Sequence, residues 1–137
     1  MRWNILYISI LVVVLTACTV PGCLDSSSAG IASITTDKDL YHSHEVMNIT
    51  VSISSQGNIG NTTLRLQGIQ DDDGHFQLNK DIPVILAPGQ NIQVYSHQLP
   101  HCSSCSGLLE GTYRIDPSLL QNGEIISNMT HTSQLKQ

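Results

Sequence analysis

The stretch "VMNITVSIS", Val46 to Ser54, alternates without a break: Met47, Ile49, Val51 and Ile53 fall on one side, Asn48, Thr50 and Ser52 on the other. A period of two sends successive side chains to opposite faces of an extended chain, so this segment reads as a strand with one buried and one wetted face. The same period recurs in "TLRLQ" through Leu64 and Leu66, in "NIQVY" through Ile92 and Val94, and in "TYRI" through Tyr113 and Ile115. Gly, Pro, Asn or Asp bounds each of them, which is the composition of turns between strands. Weaker candidates lie at Ile31 to Thr36, His75 to Leu78, Val84 to Leu86 and Glu124 to Thr132. Beyond residue 30 no stretch sustains a helical period through three turns; Pro117 to Gln121 suits a single helical turn.

Seven to eight short strands separated by turn signals predict an all-β domain over residues 31–137, an antiparallel sandwich of immunoglobulin-like type. Composition agrees with that expectation. The chain has 137 residues, 40% of them apolar, which is enough for the core of one domain and too little for two. Only 12% are charged and 4% aromatic, as in β-rich extracellular modules. The formal charge is −5 and Lys and Arg form no cluster, which argues against nucleic acid as a partner and against charge-driven binding to anionic lipid.

The N-terminus predicts where the domain works. "MRWNILYISILVVVLTAC" carries one cation, Arg2, then an apolar run from Ile5 to Leu15, then small residues before a cysteine. The run is shorter than the roughly 20 apolar residues of a membrane span and suits an export signal helix over residues 1–17. "LTAC", Leu15 to Cys18, resembles the lipobox of prokaryotic lipoproteins. That resemblance implies lipidation of the Cys18 thiol, cleavage just before it, and a domain held by its lipid anchor on the outer face of the cytoplasmic membrane. Residues 18–30, rich in Ser, Gly and Pro, then read as a flexible tether. Asn48, Asn61 and Asn128 begin Asn-X-Thr acceptors, candidate glycosylation sites that, with the export signal, suit an archaeal envelope protein.

A second resemblance concerns the domain itself. "ITTDKDLYHSHEVMNITVSI", residues 34–53, is similar to the opening of macroglobulin-type immunoglobulin-like domains through Thr36, Asp37, Lys38 and Tyr41. It departs from them where Ser43-His44 replaces the usual Pro-Gly turn. "EGTYRI", residues 110–115, resembles the late Gly-x-Tyr strand of such sandwiches and implies that Tyr113 packs over a corner. The thioester segment and bait region of full-length macroglobulins are missing, so the likeness implies fold and carries nothing about protease inhibition.

The one stretch with chemical possibilities is "HQLPHCSSCSG", residues 97–107. Outside the cytoplasm a Cys-x-x-Cys pair in a loop is expected as a disulfide, and Cys102 to Cys105 reads as a local staple before the "TYRI" strand, leaving Cys23 as an odd thiol. The alternative is a zinc or copper site built from His97, His101, Cys102 and Cys105, whose atom types suit a tetrahedron although the adjacent His101 and Cys102 strain one. A dithiol redox pair is a further alternative, lacking the strand-helix-strand setting such pairs occupy. "QDDDGH", residues 70–75, has three carboxylates before a Gly but not their alternate spacing in a calcium loop, and reads as a hairpin turn. His42 and His44 bracket Ser43 in another turn. Nucleophile elbows, phosphate-cradling loops and paired glutamates are missing from the sequence. The expectation is therefore a non-catalytic binding or structural module needing no cofactor, whose partner is an envelope protein or a glycan.

Overall fold

The computed structural model describes residues 28–101 and 108–137. The expected signal helix, the tether to residue 27, and Cys18, Cys23, Cys102 and Cys105 lie outside the described residues. Nine strands follow in order: β1 Ala29–Thr36, β2 Leu40–His42, β3 Val46–Ser55, β4 Ile59–Gln70, β5 Phe76–Leu86, β6 Gly89–Gln98, β7 Gly111–Gln121, β8 Glu124–Asn128 and β9 His131–Lys136. They form two sheets, one of order β1-β3-β6 and one of order β2-β9-β7-β4-β5 with β8 paired to β7. All ladders are antiparallel except the short β2–β9 pair, which is parallel. This is the immunoglobulin-like sandwich expected from the alternation, with nine described strands against the seven to eight expected and one parallel pair in an otherwise antiparallel arrangement.

The alternating apolar rows face each other across the two sheets. Ile31, Ile34, Met47, Ile49, Val51 and Ile53 of the small sheet meet Leu64, Leu66, Leu78, Val84, Leu86, Ile115, Leu119 and Leu135 of the large one in a single buried cluster. A fully buried aliphatic side chain of this kind contributes about 1.5–3 kcal/mol, and the described core is drawn wholly from between Ile31 and Leu135. Among the described residues the core thus lies entirely within the segment from residue 28 onward. Tyr113, at the start of β7, donates its hydroxyl to the Leu109 carbonyl at 2.6 Å, the corner-closing bond of immunoglobulin-like sandwiches.

Three strand assignments differ from the alternation. Pro117–Gln121 is the second half of β7 rather than a helical turn, because Leu64 pairs with Leu119 and Thr62 with Gln121 in the β4–β7 ladder. The adjacent pair Leu119-Leu120 looks helical in sequence, yet both are buried where a register shift against β8 locally breaks the alternation. The two candidates at His75 to Leu78 and Val84 to Leu86 are one strand, β5. Lys80, Asp81 and Pro83 interrupt its pattern, and they are tolerated because β5 is an edge with one side unpaired. The run Glu124 to Thr132 is two strands, β8 and β9, which share β7 as partner. Their break falls beside Pro117, whose carbonyl accepts from Met129 N–H at 3.1 Å and which has no N–H to give a continuous neighbour.

Candidate functional site

Thr36, Asp37, Lys38 and Tyr41 form a compact hydrogen-bonded knot. Asp37 follows β1, and its carboxylate accepts the Tyr41 hydroxyl at 2.5 Å and the Asn48 backbone N–H at 2.8 Å. The Tyr41 hydroxyl in turn accepts Lys38 N–H at 2.9 Å. These bonds hold the Asp37 carboxyl below its ordinary range, the hydroxyl of Tyr41 first and the Asn48 N–H next. Burial pushes the Tyr41 hydroxyl up to about 12, helped by the neighbouring carboxylate. Tyr41 is wholly buried, so the knot nails the β1–β2 connection to β3.

At the same end of the sandwich the turn after β2 meets the end of β6. His44 sits at φ 65° with its N–H bonded to the Pro100 carbonyl, while the Gln98 side chain donates to the His44 carbonyl. Its imidazole stacks on that of His101, ring centres 5.2 Å apart and planes 14° from parallel. His42 goes elsewhere, beside Glu45, so the two histidines of this turn do not act as a pair. His97 lies on β6 opposite Met47, half-buried, with an Nε2 that finds no hydrogen-bond partner among the described residues. Burial lowers its pKa below the ordinary histidine value. Of the expected metal set, His97 and His101 are thus described and serve different environments; Cys102 and Cys105 lie outside the described residues. Among the described residues no three His, Cys, Asp or Glu side chains gather as a metal site.

The hairpin at residues 71–75 uses its first carboxylate internally: Asp71 Oδ1 accepts the N–H groups of Asp73 and His75, and Oδ2 accepts from Gln77. The three acceptor asparagines are all on the surface. Asn61 and Asn128 are exposed, whereas Asn48 is half-covered, its amide held between Asp37 Oδ2 and the Ser96 hydroxyl. A cleft of about 340 Å³ opens where β4 and β7 part, lined by Phe76, Gln70, Thr112, Arg114 and Asp116 over Gly68. Arg114 is already engaged there by Asp116 and Thr130.

A larger feature carries no motif, because it is made of absences from three distant segments. None of the residues in β1, β3 and β6 is Asp, Glu, Lys or Arg, so the whole small sheet is uncharged apart from what His97 can carry. Its outer face is a lawn of Ser, Thr, Asn and Gln interrupted by Val46 at one end and by Ile92 and Val94, 60% and 63% exposed, near the middle of β6. Two side-chain bonds bracket that pair, Gln90 to Ser52 at 2.7 Å and Ser96 to Asn48 at 2.6 Å. Charge mapped along the strands would have revealed it from sequence; a search for catalytic spacing would not.

The two sheets and the tyrosine corner define an immunoglobulin-like β-sandwich. Comparison with known proteins agrees at the level of fold. No protein-family model matches the sequence, and no curated protein matches it. Among solved structures, the CARDB domain of a Pyrococcus furiosus protein, in complex with di-metal ions, superposes with a TM-score of 0.55 at 15% identity, covering 80% of this chain and 93% of that one. A Niemann-Pick type C2 protein from the Japanese carpenter ant gives 0.52 at 8% identity over 82% of this chain and 96% of that one. The sporulation control protein Spo0M from Bacillus subtilis gives 0.51 at 14% identity over 80% and 50%. At such identities the likeness is one of architecture.

Proposed function

We propose that this chain is a non-catalytic binding module, carried on the outer face of the cytoplasmic membrane by a lipidated Cys18, and that its contact surface is the β1-β3-β6 sheet. The observation that carries the reading is the uncharged outer face around Ile92 and Val94. A surface freed of charge and floored by small hydroxyl side chains can be desolvated cheaply against a partner, which suits recognition. The run from Ile5 to Leu15 and the "LTAC" box support the anchor, and the CARDB-like architecture suits a module that binds or builds. In cells, the protein partitions with membranes, and Cys18→Ala shifts it to the soluble extracytoplasmic fraction; membrane retention of the variant refutes the anchor.

A second reading, metal binding, draws on one observation: His101, next in chain to Cys102, stacks on His44, so two imidazoles stand together at the residue that precedes the Cys-x-x-Cys pair in sequence. The CARDB neighbour's complex with di-metal ions is in keeping with it. Native mass spectrometry with added zinc or copper separates the two readings. A retained ion with two alkylatable thiols favours the metal site, and a mass two hydrogens light with no ion favours the Cys102–Cys105 staple.

A further inference from the structure

Backbone N–H and C=O groups along one side of an edge strand are unsatisfied by the sheet, and they template pairing with any other strand unless a device prevents it. Three of the edges in this sandwich carry such a device. β1 is bulged between Ile31 and Ser33, and its Ile31 N–H is taken by Ser127 of β8 at 3.0 Å. β2 has only three residues. β5 carries Lys80, Asp81 and Pro83, a cation, an anion and a residue without an N–H.

β6 has none of these. It runs ten residues from Gly89 to Gln98 without Pro, Lys or acid, in a register with β3 that holds from Ser55↔Gly89 to Val46↔Gln98 without a shift. Among the described residues β3 is its only ladder partner. A regular, unbulged edge about 33 Å long, displaying Ile92 and Val94, is the kind of edge that pairs with another strand.

We infer that the occupant of the β6 edge is the β6 edge of a second copy of this chain, the two strands running antiparallel about a two-fold axis so that two three-stranded sheets become one of six. The inference deepens the binding-module reading above and rests on it. Charge is compatible with that partner. Each chain carries a formal −5, and the small sheet, which holds none of the Asp, Glu, Lys and Arg of the described strands, is the face on which two copies meet with least repulsion. Sequence symmetry about the centre of the strand is compatible with the two-fold. With Gln93 opposite Gln93 of the other copy, Ile92 of each lies opposite Val94 of the other, and four aliphatic side chains form one apolar stripe between the amides of Gln90 and the hydroxyls of Ser96. A strand-to-strand seam buries less than the ~1,600 Å² of a standard interface, so the association belongs to the weak, reversible class.

The test is sedimentation velocity on residues 28–137, which contain the whole described core, from about 10 μM to about 1 mM, the range in which micromolar encounters populate both states. The expected result is a weight-average mass that climbs reversibly toward twice the monomer and is unchanged by reductant. Val94→Lys, at a position 63% exposed and so harmless to the core, is expected to weaken the association at least about tenfold, as edge lysines do. Ile85→Lys on the guarded β5 edge, 87% exposed, is expected to leave it unchanged. A monomer throughout the range overturns the inference but leaves the anchor and a heterologous partner standing. A dimer indifferent to Val94→Lys, or one dissolved by reductant, overturns it in favour of another surface or a cysteine bridge.

Discussion

Gly68→Ala places a methyl group where the backbone of the neighbouring strand already is. A Cβ built on Gly68 would lie 2.3 Å from the Arg114 carbonyl oxygen and 2.8 Å from Ile115 Cα, both in β7. Ordinary contact begins near 3.4 Å, so β4 and β7 would have to part by roughly 1 Å, which stretches the flanking ladder bonds beyond any useful length. Gly68 cannot simply swing away, because it is paired with Leu78 of β5 on one side and Ile115 of β7 on the other, and Ile69 beside it is already at φ 52°. Forced overpacking of this sort costs about 3 kcal/mol. For a domain of this size that corresponds to a melting point lowered by roughly 12 °C. Urea unfolding followed by circular dichroism should show the midpoint falling at an unchanged slope. Gly60→Ala in the same strand is the control: its Cβ meets nothing within 4 Å, and the change is expected to lie within about 0.5 kcal/mol of zero. If Gly68→Ala were as mild as Gly60→Ala, the claim that β4 and β7 are in backbone contact at this point would be wrong.

Two titrations give further checks on the same domain. The Asp37 carboxyl is held below its ordinary 3.8 by the Tyr41 hydroxyl and the Asn48 N–H, so its stabilising contribution is present above about pH 4 and is lost as pH falls through the lower folded value. The stability gap between the wild-type chain and Asp37→Asn, measured by urea unfolding, should therefore be constant from neutral pH down to about 4 and close below it; a gap that persists at pH 2 would mean the carboxylate's charge is irrelevant to the knot. For His97 burial depresses the folded pKa from 6.5, so the unfolded chain takes up its proton first and stability declines as pH drops below about 6.5, levelling once the folded ring is also protonated. His97→Gln should flatten that decline without altering stability at pH 8, and NMR titration of the ring should give a midpoint below 6.5.

What could be read in advance follows from how each element solves its burial problem. β3 was legible residue by residue because it is central in its sheet, one face sealed in the core, so Met47 to Ile53 had to alternate. Tyr113 was legible because a corner needs one hydroxyl at one place. β5 was not, since an edge strand wets one of its sides and Lys80 to Pro83 erase the alternation that defines a strand. The β7–β8 hairpin had a signal that went unused: Asn122-Gly123, at φ 52° and 86°, is the dipeptide that a two-residue hairpin turn demands, and it separates Leu120 from Glu124 as two strands. The His44–His101 stack had none, because it depends on how a turn and a strand end happen to meet across 57 positions of chain.

The distribution of charge ties these elements to function. A sandwich made of two equivalent sheets would scatter Lys and Asp over both outer faces, for solubility costs little on any wetted strand. Here Arg65 and Asp81 pair across β4 and β5, Arg114 and Asp116 along β7, while β1, β3 and β6 go without. Apart from Val46, Ile92 and Val94, the wetted positions on the small sheet are filled mainly by Ser, Thr, Asn and Gln, so the exclusion is of charge and not of polarity. Folding alone does not call for that: a lysine in place of Val94 would stand at a position 63% exposed to water. Edge protection would favour the lysine, as it does at Lys80 on β5. A strand that forgoes protection available at a single exposed position, in a protein carrying −5, is what the proposed contact at β6 would account for, since a lysine there would break it. Val94→Lys on β6, read against Ile85→Lys on β5, decides whether that contact exists.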